Sequence, residues 1–322
     1  MVLEYITQFS LQHPMIFLLL IIAGSLAIML KAADFLVFGI TRYAHKFGIS
    51  DYLIGLIIIA LGASLPELVS SIMGSLEGES GIVLGTIFGS NLGGLTLVLG
   101  IIAIIGKKVD IKVRILQKTG WLIFVLALLP FVLLIDGTLA KWEGATLVAV
   151  WFGYNLYLWK KEGKLGKIKK NVKLERIWRD AIIAVIALLA IILAGRWLVF
   201  SSIRISNMLD ISPYIMALII IGIGTQIPDL AVSMRAIASG HQDVAFADIL
   251  GSLLTKGLLF LGVFPFIIPL TINPRLLWSA MIFTTISLML ALLFTRKKRI
   301  VRWQGYVMIM IYLAFLVQWV IW

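Results

Sequence analysis

Cysteine is absent from the sequence, and histidine occurs only three times. The chain therefore has no disulfide framework, no thiolate metal site and no cysteine nucleophile. The three histidines lie near the ends of apolar segments and form no known metal-binding motif. These absences argue against softer metals such as zinc and copper. They also leave no nucleophile–base pair that would indicate an enzyme.

Charged residues are scarce as well, at 14% of a 322-residue chain of which 61% is hydrophobic. A soluble domain carries about a quarter charged residues. Apolar runs at 15–30 and 180–200 are too long for ordinary core helices, since a membrane-spanning helix needs roughly 20 apolar residues. Composition therefore predicts an integral membrane protein surrounded by a lipid bilayer.

Basic residues are concentrated in three short segments, which accounts for the net charge of +12 without nucleic acid. Nineteen of the 28 lysines and arginines lie in residues 106–118, 160–179 and 296–302. Such clustering is the positive-inside signature of cytoplasmic loops. Nucleic acid is therefore not an expected partner. The sequence gives no indication of the oligomeric state.

Ten membrane-spanning helices are expected from the apolar segments. The three basic segments follow the third, fifth and ninth spans, so all three lie on one side, which the positive-inside rule makes cytoplasmic. Both termini are then outside, and a location in the cell (plasma) membrane is expected. The predicted spans are 15–40, 52–75, 82–105, 120–135, 143–159, 180–201, 213–237, 244–265, 276–295 and 304–321.

The two halves of the chain are related by an offset of 162 residues. GISDYLIGLIIIALGASLPELVSS, which starts at Gly48, aligns without a gap with DISPYIMALIIIGIGTQIPDLAVS, which starts at Asp210. Across the 53 positions from Gly48 to Gly100, 19 are identical. Each half holds five predicted spans, and an odd number places the second copy upside down in the bilayer. Inverted repeats of this kind are typical of secondary transporters.

The expected fold class is therefore all-α transmembrane, with ten helices as two inverted five-helix repeats. The first repeat covers residues 1–159, and its repeated motif lies at 48–100. A basic cytoplasmic linker covers 160–179. The second repeat covers 180–322, with its copy of the motif at 210–262.

Each repeat contains a proline followed directly by a carboxylate in the middle of an apolar segment. Pro66 precedes Glu67, and at the matching positions Pro228 precedes Asp229. Proline removes a backbone donor and clashes with the carbonyl four residues earlier, so both helices are expected to open. An intramembrane charge costs at least about 2.5–3.5 kcal/mol at the helix centre. Matched charges beside matched breaks therefore indicate a functional site.

Oxygen atoms are the donors that these segments offer to a cation. We expect the helices to open around Ala60 and around Gly222, which frees backbone carbonyls to line a cavity. Hard cations such as calcium take about six to eight oxygen ligands from carboxylates, carbonyls and hydroxyls. The predicted ligands are Glu67, Asp229, Ser64, Thr225, Ser90, Ser252 and the freed carbonyls.

The segments ALGASLPEL, from Ala60, and GSN, from Gly89, resemble the alpha-repeat pattern of the sodium/calcium exchanger superfamily of cation antiporters. The resemblance covers nearly the whole chain. It implies that the two carboxylates bind the ions and that the first and sixth spans move during alternating access. It also implies supporting oxygens from Ser64, Thr225, Ser90 and Ser252, and carbonyl oxygens from Ala60 and Gly222.

Departures from the family pattern fall on the same region. The family usually has Thr at Ala63, Ser at Gln226 and Glu at Asp229. It usually has Asn at Gly94 and Asn or Asp at Lys256. Two hydroxyls and two side-chain oxygens are thus missing, and the amide of Gln226 replaces them only in part.

Lys256 is the largest departure, because it adds a positive charge. Ser252 and Lys256 are four residues apart and share a helix face. The ammonium either occupies a monovalent-ion position and neutralises Glu67 or Asp229, or releases its proton. The alternative is a lysine that extends outward to the membrane surface. Asp248, four residues before Ser252, is either a further ligand or a structural hydrogen-bond acceptor.

The sequence therefore predicts a membrane antiporter that exchanges calcium for sodium or protons at a midplane carboxylate site. No enzyme activity and no resident cofactor are expected, and inorganic cations are the expected partners. Two alternatives remain open. One is a transporter of the same fold whose substrate or coupling is altered by Lys256. The other is a membrane protein that binds an ion without transporting it.

Overall fold

The computed structural model describes residues 12–46, 64–106, 108–110, 114–162, 177–238, 242–296 and 299–321. Uninterrupted helices are α1 (Pro14–Lys46), α2 (Leu65–Leu76), α4 (Arg114–Leu133), α5 (Lys141–Glu162), α6 (Ile177–Leu209), α8 (Gln226–Ala238), α10 (Pro274–Arg296) and α11 (Arg302–Ile321). Three further helices, α3, α7 and α9, contain a π-helical turn.

The π-helical turns separate α-helical segments. In α3, Ser80–Gly93 is followed by the π-turn Gly94–Val98 and then by Leu99–Ile105. In α7, Pro213–Met216 is followed by the π-turn Ala217–Ile221 and then by Gly222–Gly224. In α9, Gln242–Leu254 is followed by the π-turn Thr255–Phe260 and then by Leu261–Val263, with the 3-10 turn Phe264–Phe266 after it. Turns of this kind occur mostly at functional sites.

Helical structure occupies each of the ten predicted segments as far as they are described; residues 52–63 of the second segment, including Ala60, lie outside the described residues. Within the described ranges, six helices are long and apolar enough to cross a membrane. The chain is therefore an all-α, multi-pass membrane protein, and the number of ten crossings stays a prediction. The six spans are Pro14–Phe35, Ser80–Ile105, Val185–Leu209, Pro213–Ala231, Asp248–Phe266 and Pro274–Phe294.

Two short antiparallel ribbons connect the halves of the chain. Strand β1 (Lys108–Asp110) pairs with β4 (Arg299–Val301), and β2 (Thr138–Leu139) pairs with β3 (Leu270–Thr271). The offset of 162 relates β1 to β3 and β2 to β4, and it preserves the register. Lys108↔Val301 and Val109↔Ile300 in the first ribbon correspond to Leu270↔Leu139 and Thr271↔Thr138 in the second.

The buried apolar side chains form two separate cores. The larger core is built from α3, α4, α5, α9, α10 and α11. The smaller core joins α1 to α6 and also takes in Val69 of α2 and Ala217 of α7. The outer faces of α1 and α6 expose large apolar side chains, such as Leu20 and Leu193, as a lipid-facing surface requires. The pair formed by α1 and α6 therefore packs against α2, α3 and α7 through this smaller core.

Two pairs of glycines mark close helix crossings between the two halves. They join the third predicted span of each half to the last predicted span of the other half. Gly262 of α9 meets Gly144 of α5, and Gly100 of α3 meets Gly305 of α11. A Cβ at Gly262 would lie 2.7 Å from the Gly144 carbonyl oxygen, and a Cβ at Gly305 would lie 2.6 Å from that of Gly100. Small residues permit such backbone approach between membrane helices. The two halves are thus interlocked.

We expect Gly144→Ala to lower the free energy of unfolding by about 1–3 kcal/mol, as overpacking of a close contact does. The new methyl group would lie 2.5 Å from the Gly262 carbonyl oxygen and 3.0 Å from Cγ of Pro265. Thermal unfolding of the purified protein in detergent measures the effect. Gly153→Ala on the same helix is the matched control, because no described atom lies within 4 Å of its added methyl group. Equal losses in both variants would contradict the crossing.

Candidate cation site

Glu67 lies in the first turn of α2, directly after Pro66. Proline is favoured at a helix start, where its missing N–H would have had no partner, and a carboxylate there interacts favourably with the helix dipole. Ser70 donates a hydrogen bond of 2.7 Å to the Pro66 carbonyl. The Glu67 side chain is fully buried, as is the Ser64 side chain just before the helix.

The second acidic helix is interrupted at Thr225, between α7 and α8. The opening was expected around Gly222, and the helix is irregular on both sides of that residue, with the π-turn Ala217–Ile221 before it and the interruption at Thr225 after it. Pro228 cannot donate to the carbonyl four residues earlier, which belongs to Gly224. Gly222 accepts a hydrogen bond of 3.5 Å from the Thr225 hydroxyl. Asp229 follows in the first turn of α8 and is buried.

The two carboxylates are joined by the ammonium of Lys256. Lys256 Nζ lies 2.8 Å from Glu67 Oε1 and 3.4 Å from Asp229 Oδ2. The lysine is 1% exposed, so its side chain points inward and does not extend to the membrane surface. Residues of three different helices thus form one buried cluster of alternating charge.

The π-turn of α9 positions Lys256. Side chains on a helix lean toward its N-terminus, which directs the lysine stem back over the Ser252 turn. The preceding residue, Thr255, accepts a hydrogen bond of 3.3 Å from the indole nitrogen of Trp151 on α5. In α3 the π-turn begins at Gly94, the position that corresponds to Lys256. The same backbone feature therefore carries a glycine in one half and the site lysine in the other.

Gln226 occupies the space beside Gly94. Its amide nitrogen donates a hydrogen bond of 3.3 Å to Glu67 Oε1. Its amide oxygen lies 3.0 Å from the point where a Cβ at position 94 would stand. The missing side chain of Gly94 and the longer side chain of Gln226 therefore compensate for each other, and an amide oxygen remains available to a cation.

Ser90 and Ser252 are equivalent in position and in hydrogen bonding. Ser90 donates to the Ile87 carbonyl at 3.2 Å, and Ser252 donates to the Ile249 carbonyl at 3.1 Å. Both are buried. Because each hydroxyl hydrogen is used within its own helix, the oxygen lone pairs remain available to a cation.

Several buried oxygen atoms of the cluster have no hydrogen-bond partner among the described residues. They are Ser64 Oγ, Glu67 Oε2, Gln226 Oε1 and Asp229 Oδ1. Buried polar atoms normally find partners, and a hard cation prefers oxygen ligands of these types. The part of the chain that the structure describes holds no group of three or more His, Cys, Asp or Glu suited to a metal. Hydroxyl and amide oxygens must therefore complete any ligand set.

Asp248 lies two turns before Lys256 on α9 and is partly buried. Its charge interacts with those of Asp229 and Lys256. Its side chain accepts no hydrogen bond from the described residues, so the alternative of a structural acceptor finds no support there.

Three buried hydroxyls next to the site were not singled out from the sequence. Ser71 and Ser233 each lie one turn after a site carboxylate, and Thr86 lies one turn before Ser90. None of the three has a partner among the described residues. The repeat contained the signal, because Ser71 and Ser233 are identical at the offset of 162.

A multi-pass helical protein with two buried carboxylates among buried hydroxyl and amide oxygen atoms is typical of the class of secondary cation transporters. The family model described as "Sodium/calcium exchanger protein" matches residues 17–160 and 180–320. The chain belongs to that family. It is a membrane cation antiporter, not an enzyme, and inorganic cations and the lipid bilayer are its partners.

Relatives match this chain over most of their own length. The sodium/calcium exchanger MaX1 of Methanosarcina acetivorans is 28% identical over 92% of this chain and 97% of its own. The inner membrane protein YrbG of Escherichia coli is 28% identical over 79% of this chain and 81% of its own.

Solved structures share the fold. A structure of the sodium-calcium exchanger NCX_Mj, soaked with Na+ and Sr2+, has a TM-score of 0.66 and 25% identity over 93% of this chain and 98% of its own. The crystal structure of the H+/Ca2+ exchanger CAX has a TM-score of 0.76 over 99% of this chain and 88% of its own. At 15% identity, this second likeness shows the fold alone.

Replacing Lys256 by Asn is expected to destabilise the cation-free protein by about 3–5 kcal/mol, because it leaves buried carboxylates without a partner. Calcium should therefore raise the unfolding temperature of Lys256→Asn by more than it raises that of the wild type. Thermal unfolding with a chelator and with calcium measures both effects. Lys31→Asn, which removes an exposed lysine of α1, is the control. Equal unfolding temperatures for all three proteins in chelator would show that the ion pair is energetically unimportant.

Proposed function

We propose that the chain exchanges calcium for sodium or protons at the site of Glu67 and Asp229. The observation that carries the proposal is the buried ammonium of Lys256 between the two carboxylates. The ammonium group of Lys256 is itself a cation bound by Glu67 and Asp229. The surrounding oxygen atoms therefore favour positive charge at this position. A relative and a structural neighbour named as sodium/calcium exchangers support calcium and sodium as the ions.

The proposed ligands are the two carboxylates and the oxygen atoms around them. Ser64, Thr225, Ser90, Ser252 and Gln226 supply side-chain oxygens, and Ala60 and Gly222 are proposed to supply backbone carbonyls. Lys256 and Asp248 modulate the charge of the site. Support comes from the burial of the described side chains and from the oxygen atoms that lack a partner. Calcium coordination by carbonyl, hydroxyl and carboxylate oxygens is common in proteins.

We further propose that the chain consists of two inverted repeats, 1–159 and 180–322, joined by the linker 160–179. The two ribbons support this arrangement. Strands β1 and β2 lie at opposite ends of α4, and β3, the counterpart of β1, pairs with β2. Counterparts therefore lie at opposite ends of the molecule, as inversion requires, whereas parallel repeats would place them at the same end. One family model also matches both halves.

Alternating access is the proposed mechanism, with α1 and α6 as the moving pair. Support comes from the smaller core, which is distinct from the larger core and takes most of its apolar side chains from α1 and α6. The site lies where α2 and α7, which contact the smaller core through Val69 and Ala217, meet α3 and α9 of the larger core.

The proposed location is the cell membrane, with residues 160–179 in the cytoplasm and both termini outside. The support is the concentration of 19 of the 28 basic residues in three segments that follow odd-numbered spans.

Replacing Glu67 by Gln tests the proposed site. In liposomes, the variant should lose nearly all radiotracer calcium uptake driven by an outward sodium or proton gradient, because an amide carries no charge to offset that of the ion. Glu143→Gln is the matched control, since Glu143 is a buried carboxylate that accepts a hydrogen bond of 2.8 Å from the Ala140 amide, away from the site.

Uptake in Glu67→Gln at the wild-type rate would place the site elsewhere. Transport of another cation without calcium would favour the transporter with altered substrate, for which the charge of Lys256 is the specific observation. Absence of transport for any cation, in folded wild-type protein, would favour a protein that only binds an ion.

A further inference from the structure

The positive charge of Lys256 is shared unequally between the two carboxylates. Its ammonium is 2.8 Å from Glu67 and 3.4 Å from Asp229. Glu67 also accepts a hydrogen bond from Gln226, so one of its oxygen atoms has two donors. The charges of Glu67, Asp229 and Lys256 sum to −1, and because Glu67 is the closer partner of Lys256, we assign the remaining negative charge to Asp229.

One oxygen atom of Asp229 has no hydrogen-bond partner among the described residues. Its Oδ2 atom contacts Lys256, whereas Oδ1 is buried and has no partner in the described part of the chain. Ser233 follows Asp229 by four residues and so shares its helix face. The Ser233 hydroxyl is fully buried and also has no described partner. Two buried oxygen atoms on one face of α8 thus lack the hydrogen bonds that burial normally demands.

Asp248 lies on α9, the helix that packs against α8, and adds a second carboxylate to this region. The charges of Asp248 and Asp229 interact. With Glu67 and Lys256 neutralised as a pair, Asp229 and Asp248 carry a charge of −2 when both are ionised. Such a charge is costly unless it is compensated, and one divalent cation compensates it fully.

We infer that a calcium position lies between Asp229 and Asp248, with the Ser233 hydroxyl as a further ligand, displaced from the centre that Lys256 occupies. The inference rests on the proposed function and specifies where the divalent ion binds. In this arrangement Asp248 restores the charge that Lys256 removes. The lysine shifts the divalent ion toward α8 and α9 and does not exclude it.

The position lies on one side of the carboxylate pair. Near Asp248, the side chains of Ala245, Phe246 and Ile249 line a small cavity together with Ile300 of β4, so this part of α9 lies toward the β1–β4 ribbon. In the proposed orientation that side is cytoplasmic. The counterparts of Asp248 and Ser233 at the offset of 162 are Thr86 and Ser71. Thr86 and Ser71 place buried hydroxyls at the equivalent positions of the first half, and neither residue carries a charge. Substitutions of these two residues therefore serve as matched controls.

Calcium binding to the purified, full-length protein by isothermal titration calorimetry tests the inference. Asp248→Asn should weaken calcium binding about tenfold or more, because ligand charge sets the affinity of calcium sites. Ser233→Ala, which changes no charge, should weaken it by about twofold to tenfold through the loss of one ligand. Thr86→Val and Ser71→Ala should stay within about twofold of the wild type.

Wild-type affinity in both Asp248→Asn and Ser233→Ala would overturn the inference, as would equal losses in the Thr86 and Ser71 controls. If Asp248→Asn does not fold, as judged by size-exclusion chromatography, Ser233→Ala decides alone. Glu67→Gln distinguishes a failure of the displaced calcium position from a failure of the proposed exchange function. Loss of calcium exchange in Glu67→Gln together with wild-type binding in Asp248→Asn and Ser233→Ala removes only the displaced position. A folded wild type that binds no calcium removes both proposals.

Discussion

The contact between Lys256 and the carboxylates of Glu67 and Asp229 is the interaction on which the rest of the site depends. Three charges of a buried cluster within an apolar bundle are tolerable only when they compensate each other. Each of the three helices involved departs from regular geometry nearby, at a proline or at a π-turn. These departures bring the ammonium of Lys256 within 3.4 Å of both carboxylates. The arrangement neutralises part of the site charge even before an ion arrives.

The two halves share a scaffold and differ at the site. The ribbons keep the same register, the π-turns of α3 and α9 coincide, and the serines of both helices bond in the same way. The differences are a glycine opposite Lys256, Ser64 opposite Gln226, and Thr86 opposite Asp248. Each places a longer or charged side chain in the second half. The shared features therefore give both halves the same backbone framework, whereas the three differences set the charge around a bound ion.

The molecule contains a main bundle with the larger apolar core and a pair of helices, α1 and α6, that packs beside it. Glycine crossings hold the third helix of each half against the last helix of the other, where backbones approach too closely for any larger side chain. The pair α1 and α6 supplies most of the smaller core and exposes its outer face. Motion is easiest along the boundary between such bodies, and the site lies beside that boundary.

The sequence by itself determined the membrane class, the repeat, the family and the residues near the two prolines, because hydropathy, charge clustering and a constant offset are properties of the chain order. It could not determine where Lys256 points. A shared helix face with Ser252 is compatible both with an ion pair inside the bundle and with a side chain that extends to the membrane surface. Nor could the sequence show that Gln226 fills the space beside Gly94, or that the break falls at Thr225. Only the tertiary structure decided these points, because each depends on which atoms of another helix stand opposite and which buried charges must be compensated.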